Sequence, residues 1–373
     1  MDFSLSDEQE ALRDLARDLL ARRATPERLT ELESAGTSGG SDWLDRELWR
    51  ELGSAGLLGA CLLEQYGGGG AGFTEVALLC EQVGAHVAHV PVWASVVCAA
   101  LPIAQFGSPE QVARDLPGVM AGETVLTAAL VEPNNDDPRR PTTRARRDGE
   151  RWVLDGVKTC VPLGTFATRI VVPALTDDGP AVFLLDPAAA GVTIEAQRST
   201  ALEPQALVRL DGAVAELLGS QADGVLDWLL DRALTGLAAI QAGICDRALR
   251  MSAEYTTERE QFGRPVATFQ AVGHRLADAY TDTLAVQLAT WQAVWRISEG
   301  LPAADAVAVA KWWAAEAGHR VTHAAQHVHG GVGVDVTYPL HRYTRWATQI
   351  GLTLGGASRH LRVIGERLAA EPA

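Results

Sequence analysis

Between Thr124 and Leu210 the chain changes texture, and that change constrains the fold more than any other feature. Residues 125–131, 151–154, 157–161, 169–172, 181–185, 192–195 and 206–210 are short pieces rich in β-branched and aliphatic side chains. Turn signals separate them, among them Asp148-Gly149, Asp155-Gly156 and Asp178-Gly179-Pro180. No helix-length segment intervenes. A doubly wound nucleotide fold needs a helix between successive parallel strands, so the spacing predicts a compact antiparallel β-domain instead.

Helical periodicity lies on both sides of this region. Ser6 followed by Gln9 is a capping-box pattern, and Leu12, Leu15, Ala16, Leu19 and Leu20 then recur at helical spacing. Further helices are predicted over about 43–56, 75–100 and 110–121. After Asp223, four long segments are predicted, over about 225–258, 269–299, 303–329 and 338–370. Gly263-Arg264-Pro265, Gly300-Leu301-Pro302 and Gly330-Gly331 punctuate them. The expected class is mainly α with a central β-domain: an N-terminal helical domain (1–122), a small antiparallel β-domain (123–222) and a C-terminal four-helix bundle (223–373).

Composition narrows the function. A chain of 373 residues, 47% hydrophobic, can bury a large core. Its net charge of −15 argues against a nucleic-acid partner, although a few well-placed arginines still suffice for a phosphorylated cofactor. The five cysteines form no CxxC pair, which reads as reduced thiols in a cytoplasmic protein. The N-terminus, Met1-Asp2-Phe3-Ser4, lacks the basic and apolar regions of a signal peptide, and no apolar run reaches membrane-spanning length. Gly67 to Gly72 can be forced onto GxGxxG, but it follows a helix rather than a strand and reads as a turn. His319, His323 and His327 share a helix face, yet no HExxH and no carboxylate completes a metal set. There is no GxSxG elbow. Trp291, Trp295, Trp312 and Trp313 read as helix packing.

Two segments carry a resemblance. Arg259-Glu260-Gln261-Phe262-Gly263-Arg264-Pro265, leading into Phe269-Gln270, resembles the R-x-x-F-G-x-P…F-Q signature of the acyl-CoA dehydrogenase family. Gln326-His327-Val328-His329-Gly330-Gly331-Val332-Gly333 resembles that family's Q-x-x-G-G-x-G turn, with His327 at the position of its Gln. Leu5 to Gln9, Asp155-Gly156-Val157-Lys158, Tyr338-Pro339 and Arg345 match as well, so the resemblance spans the chain. It implies FAD as cofactor, with Arg259, Gln261, Phe262, Gln270, His327, Gly330 and Gly331 as its ligands. A guanidinium fork suits pyrophosphate oxygens, a flat ring suits a purine face, and glycines allow close backbone approach.

The resemblance also implies a reaction. Acyl-CoA dehydrogenases oxidise an acyl thioester to the 2,3-enoyl thioester: a carboxylate takes the α-proton and the flavin accepts the β-hydrogen as hydride. Here the chain departs from the family. The Glu of the last long helix falls on Gly355, and the alternative Glu of the first bundle helix falls on Ala233, with Asp231 two residues away on another face. The Thr of the ring-binding T-E-P motif is Val131, the following Gly-rich segment is Asn134-Asn135-Asp136-Asp137-Pro138, and Trp-Ile-Thr is replaced by Cys160-Val161-Pro162.

In the family fold the flavin lies at a subunit interface, one chain holding the ring and its neighbour the ADP end. This chain keeps the ADP arm and loses the ring pocket. It therefore resembles a partner subunit of the heteromeric, steroid-degrading dehydrogenases of actinobacteria. The expected partners are an acyl-CoA thioester, another acyl-CoA dehydrogenase chain (the same or unlike) and an electron-transfer flavoprotein as acceptor. The alternatives are a self-sufficient homotetramer with an atypical base such as Asp231, and a flavin-free structural or CoA-thioester-binding protein.

Overall fold

The computed structural model describes residues 4–36 and 43–370. Met1-Asp2-Phe3, read above as no leader, lies outside them.

The chain opens with α1 (Asp7–Arg23), whose first turn is closed from both sides: Ser6 Oγ accepts from Gln9 N at 3.2 Å and the Gln9 side chain accepts from Ser6 N at 3.0 Å. Then follow α2 (Pro26–Gly36), α3 (Arg46–Ser54) and α4 (Phe73–His86). The helix expected over 75–100 is interrupted. Val87 turns left-handed (φ 43°), and a π-helical stretch, Val92–Ala100, begins only after Pro91. Apolar residues continue through the break, so periodicity does not register it, whereas a proline and its preceding residue both oppose helix there. Next come α5 (Leu101–Phe106) and α6 (Pro109–Met120), the latter with a second capping box at Ser108 and Gln111.

The β-domain contains β1 (Leu126–Ala128), β2 (Arg144–Asp148), β3 (Arg151–Pro162), β4 (Arg169–Thr176), β5 (Gly179–Leu185), β6 (Val192–Arg198) and β7 (Pro204–Leu217). Its order is β1-β4-β2-β3-β7-β5, with β6 on β7. Most pairings are antiparallel, as expected, but β1 and β2 each meet β4 in parallel. The two pieces expected at 151–154 and 157–161 are one strand, bent by a bulge at Asp155-Gly156. β2 carried no apolar signal: of Arg144-Ala145-Arg146-Arg147-Asp148 only Ala145 is buried.

The bundle comprises α7 (Val225–Glu258), a two-residue-per-strand hairpin β8 (Glu260–Gln261) and β9 (Arg264–Pro265), α8 (Gln270–Ser298) and α9 (Ala304–His329). The fourth predicted helix is two, α10 (Leu340–Leu352) and α11 (Ala357–Ala370), because Leu354 and Gly355 take φ of 57° and 100°. α4 packs tightly on α7. A Cβ on Gly84 would lie 2.0 Å from Ile240 O, and one on Gly243 would lie 1.9 Å from Glu81 O, so glycine on each helix permits the crossing. Among the described residues no helix is long and apolar enough to cross a membrane.

Candidate functional sites

The end of α7, the β8–β9 hairpin, the start of α8 and the end of α9 enclose a depression of about 400 Å³. Four of the seven predicted ligands line it together: Arg259, Gln261, His327 and Gly330. The other three do not. Phe262 stands at the hairpin tip, 93% exposed, with its ring edge-on to Phe269 at 6.2 Å. Gln270 sits with its amide nitrogen 3.4 Å from His274 Nε2. Gly331 follows α9 with open space where a Cβ would be.

Seven further residues line it, and the three polar ones among them, Tyr255, Arg275 and His329, were not named as ligands by the sequence reading. Arg275 lies one turn beyond Ala271 on the same helix face, which becomes informative only once the depression is known. Tyr255 stacks on His329 at 4.4 Å, and His329 Nε2 lies 3.1 Å from Tyr338 Oη, with burial holding the imidazole pKa below its usual value. Neither Arg259 nor Arg275 has an ion-pair partner among the described residues. Two free guanidiniums beside an exposed glycine turn fit a diphosphate.

A second cavity, about 550 Å³, lies where the π-helical stretch, β1, the end of β3, the β6–β7 loop, α7 and α10 meet. Val131, Cys160, Pro162 and Gly355, four positions where family residues are replaced, all line it. Two backbone donors at the replaced segment are committed elsewhere. Cys160 N donates to Gln197 Oε1 at 3.0 Å, and Thr159 N to Val131 O at 2.9 Å. Pro162 has no N–H, and its carbonyl accepts from Thr127 Oγ1 at 2.6 Å. These walls do not fit the polar rim of a flavin ring.

The neighbouring polar groups are structural. Glu132 accepts from Lys158 Nζ at 2.7 Å and from Thr142 and Thr143, which holds its carboxyl well below the usual range despite burial, while burial brings Lys158 down to about 8. Asp136 and Asp137, in the segment that replaces the family's glycines, pair with Arg362 and Arg359 of α11 at 2.6 and 2.9 Å.

Neither expected base is available. Ala233 is fully buried and its carbonyl accepts from Trp93 Nε1 at 2.8 Å. Asp231 does not line the cavity, and Arg139 binds its carboxylate at 2.6 Å. The carboxyl group that lies in the cavity's buried corner is Glu203. It accepts from Gln349 Nε2 and, at 3.4 Å, from Gln205 Nε2, and burial pushes it up to about 7. The sequence reading did not single out Glu203, which lies in the loop before β7. Gly355, at the α10–α11 break, is fixed by Lys311, whose Nζ donates to the carbonyls of Gly351 and Gly355 at 3.1 and 3.0 Å; burial lowers this lysine to about 7. A Cβ at Gly355 would lie 2.9 Å from Arg359 Cγ. His319 and His323 stack at 5.9 Å, and the described residues hold no cluster suited to a metal ion.

Residues 6–123 match the family model for the acyl-CoA dehydrogenase N-terminal domain, and residues 224–369 that for the C-terminal domain. Acyl-CoA dehydrogenase FadE27 of Mycobacterium tuberculosis (strain ATCC 25618 / H37Rv) is 40% identical over 384 residues, covering 100% of each chain. Among solved structures, the ChsE4–ChsE5 complex from Mycobacterium tuberculosis matches with a TM-score of 0.94 at 40% identity, covering 100% of both chains. A variant of the Tcur3481–Tcur3483 steroid ACAD matches with a TM-score of 0.92 at 45% identity, over 98% of this chain and 99% of that one.

Proposed function

The chain belongs to the acyl-CoA dehydrogenase family, FAD-dependent oxidoreductases acting on the CH–CH bond of an acyl-CoA, and on that premise we propose that it completes the FAD site of a second, unlike chain rather than holding a flavin ring of its own. One observation carries this reading: the replaced positions Val131, Cys160, Pro162 and Gly355 converge on one cavity, while Arg259 and Arg275 stand unpaired in a separate depression. In the assembly, Arg259 and Arg275 hold the diphosphate, Gly330 allows close backbone approach, and Phe262 at the hairpin tip reaches the adenine end. FAD supplies the hydride-accepting chemistry, and the partner supplies the base. Similarity to a chain of the ChsE4–ChsE5 complex supports an unlike partner, and similarity to the Tcur3481–Tcur3483 steroid ACAD supports a steroid-derived acyl group. The reading takes 1–122, 123–222 and 223–373 as the domains, places the protein in the cytoplasm and assigns an electron-transfer flavoprotein as acceptor.

Flavin absorbance tests it. The chain purified alone should carry no FAD, and the chain co-expressed with a partner should carry it; stoichiometric FAD on the chain alone overturns the proposal. Glu203 favours a second reading, a self-sufficient enzyme with that carboxylate as base, since a group poised near 7 inside the cavity suits proton abstraction. Acyl-CoA turnover by the chain alone, abolished by Glu203→Gln, would establish it.

A further inference from the structure

The 550 Å³ cavity has walls that are apolar over most of their extent, with Trp93, Leu130, Leu237, Ile240, Trp346 and Leu354 among them. The volume falls in the range that encloses a drug-sized molecule.

One corner is different. Glu203, on the loop before β7, meets Gln349 of α10, and Glu203 Oε2 receives both hydrogen bonds, from Gln349 Nε2 and from Gln205 Nε2. Among the described residues no hydrogen bond reaches Glu203 Oε1. The carboxyl also fixes the orientation of the Gln349 amide: its NH₂ turns to Glu203, so its oxygen is left over. That oxygen, Gln349 Oε1, is buried without a partner. In this corner Gln349 Oε1 is therefore buried without a donor, and the half-buried Glu203 carboxyl has one oxygen, Oε1, that takes up no donor among the described residues. Buried acceptors are ordinarily satisfied, so the corner is matched to a molecule that brings a donor. The donor is not a cation, because Arg198 lines the same cavity and repels one, and desolvating an ammonium ion in apolar walls is costly. It is not a carboxylate, which has no proton to give and would meet Glu203.

Resting on the preceding reading in one respect, that the cavity is free of a flavin ring, we infer that it binds a bulky apolar alcohol, its hydrocarbon body against Trp93 and Trp346 and its hydroxyl donating into the Glu203–Gln349 corner. The alcohol is a bound ligand or the remote hydroxyl of a larger substrate; the recognition chemistry is the same.

The test uses the full chain and displacement of the apolar dye anilinonaphthalene sulfonate. Cyclododecanol should displace the dye at about tenfold lower concentration than cyclododecyl methyl ether, which has the same ring but no hydroxyl proton, tenfold being the scale of a hydrogen bond that satisfies a buried acceptor. In Glu203→Leu the gap should shrink to about threefold or less, with displacement by the ether unchanged. If Glu203→Leu lacks the wild-type circular dichroism, Gln349→Leu is read in its place, with the same expectation. Equal potency of alcohol and ether on the wild-type chain, or a gap that survives both substitutions, overturns the inference while leaving the partner-subunit reading intact. FAD bound stoichiometrically to the chain alone overturns both.

Discussion

The depression and the cavity are built on opposite principles. In the depression the two arginines are unspent: among the described residues Arg259 and Arg275 have no ion-pair partner, in an acidic protein whose other arginines are mostly paired, and the glycine turn leaves its backbone accessible. Around much of the cavity, outside the Glu203–Gln349 corner, the polar groups are spent on one another. Cys160 N is given to Gln197, Glu132 to Lys158, Asp231 to Arg139, and Asp136 and Asp137 to α11. A folded chain tolerates unpaired arginines only at a solvated surface, where their cost is small, and such groups are ready for a ligand. A wall whose donors are satisfied internally, like that of Cys160 and Pro162, has little to offer a polar ring.

The largest expected effect breaks or sharpens this contrast directly. In a dye-reduction assay with acyl-CoA and added FAD, the chain alone should show no turnover, and adding a partner that carries a catalytic Glu should restore it. A general base supplies roughly 10²–10⁴-fold, so the difference is well within reach of the assay. Turnover by the chain alone would mean that the cavity is a working site.

Next in size is the depression. In the assembled holo-protein, Arg259→Ala and Arg275→Ala should each weaken FAD retention, by about 1.5–3 kcal/mol or roughly 10- to 100-fold, the worth of a charge-assisted phosphate contact. Equilibrium dialysis against FAD measures this. Arg259→Ala without effect would show that the family's phosphate contact does not carry over to this chain; Arg275→Ala without effect would confine the site to the signature residue.

A smaller effect concerns Glu203 and pH. Its pKa is about 7 when folded and near 4.5 when unfolded, so between these values the folded chain binds more protons. Stability should therefore fall as pH rises from about 4.5 to 7 and stay lower above that, by about 1–3 kcal/mol. Glu203→Gln should flatten that decline in urea unfolding measured from about pH 5 to 8. An unchanged slope would place the carboxyl in water rather than in a dry corner.

The smallest expected change is in Phe262→Ala. Because this side chain is 93% exposed, thermal stability should shift by no more than about 0.5 kcal/mol, while FAD retention by the assembly falls. A large loss of stability would show that the ring packs in the subunit itself.

Much of the fold was legible because long helices and short strands differ in period, and α7 ends at the residues its pattern indicated. Breaks were not. Val87 and Leu354 reverse the chain inside apolar runs, where the side-chain pattern continues while the backbone does not. β2 was silent because it turns its arginines to solvent and buries a single alanine. In the sites, Arg259, Gln261, His327 and Gly330 were legible because they fall within two short, dense segments. Arg275 and Glu203 were not, for different reasons. Arg275 is a surface helix residue until its neighbours are known. Glu203 gains its meaning from Gln349, 146 residues away, through a hydrogen bond no local pattern encodes.

The α10–α11 break has a historical consequence. With φ of 100° and a Cβ position 2.9 Å from Arg359 Cγ, Gly355 sits in a conformation that a side chain opposes. Lys311 holds that conformation from below through two carbonyls. A single codon change to glutamate would place a carboxylate on a backbone that an L side chain strains against. Descendants of this chain could recover an acid there only after the helix end itself had been rebuilt. If the neighbouring subunit removes the proton, as proposed, each later adjustment around Gly355 makes independence harder to regain than partnership is to keep.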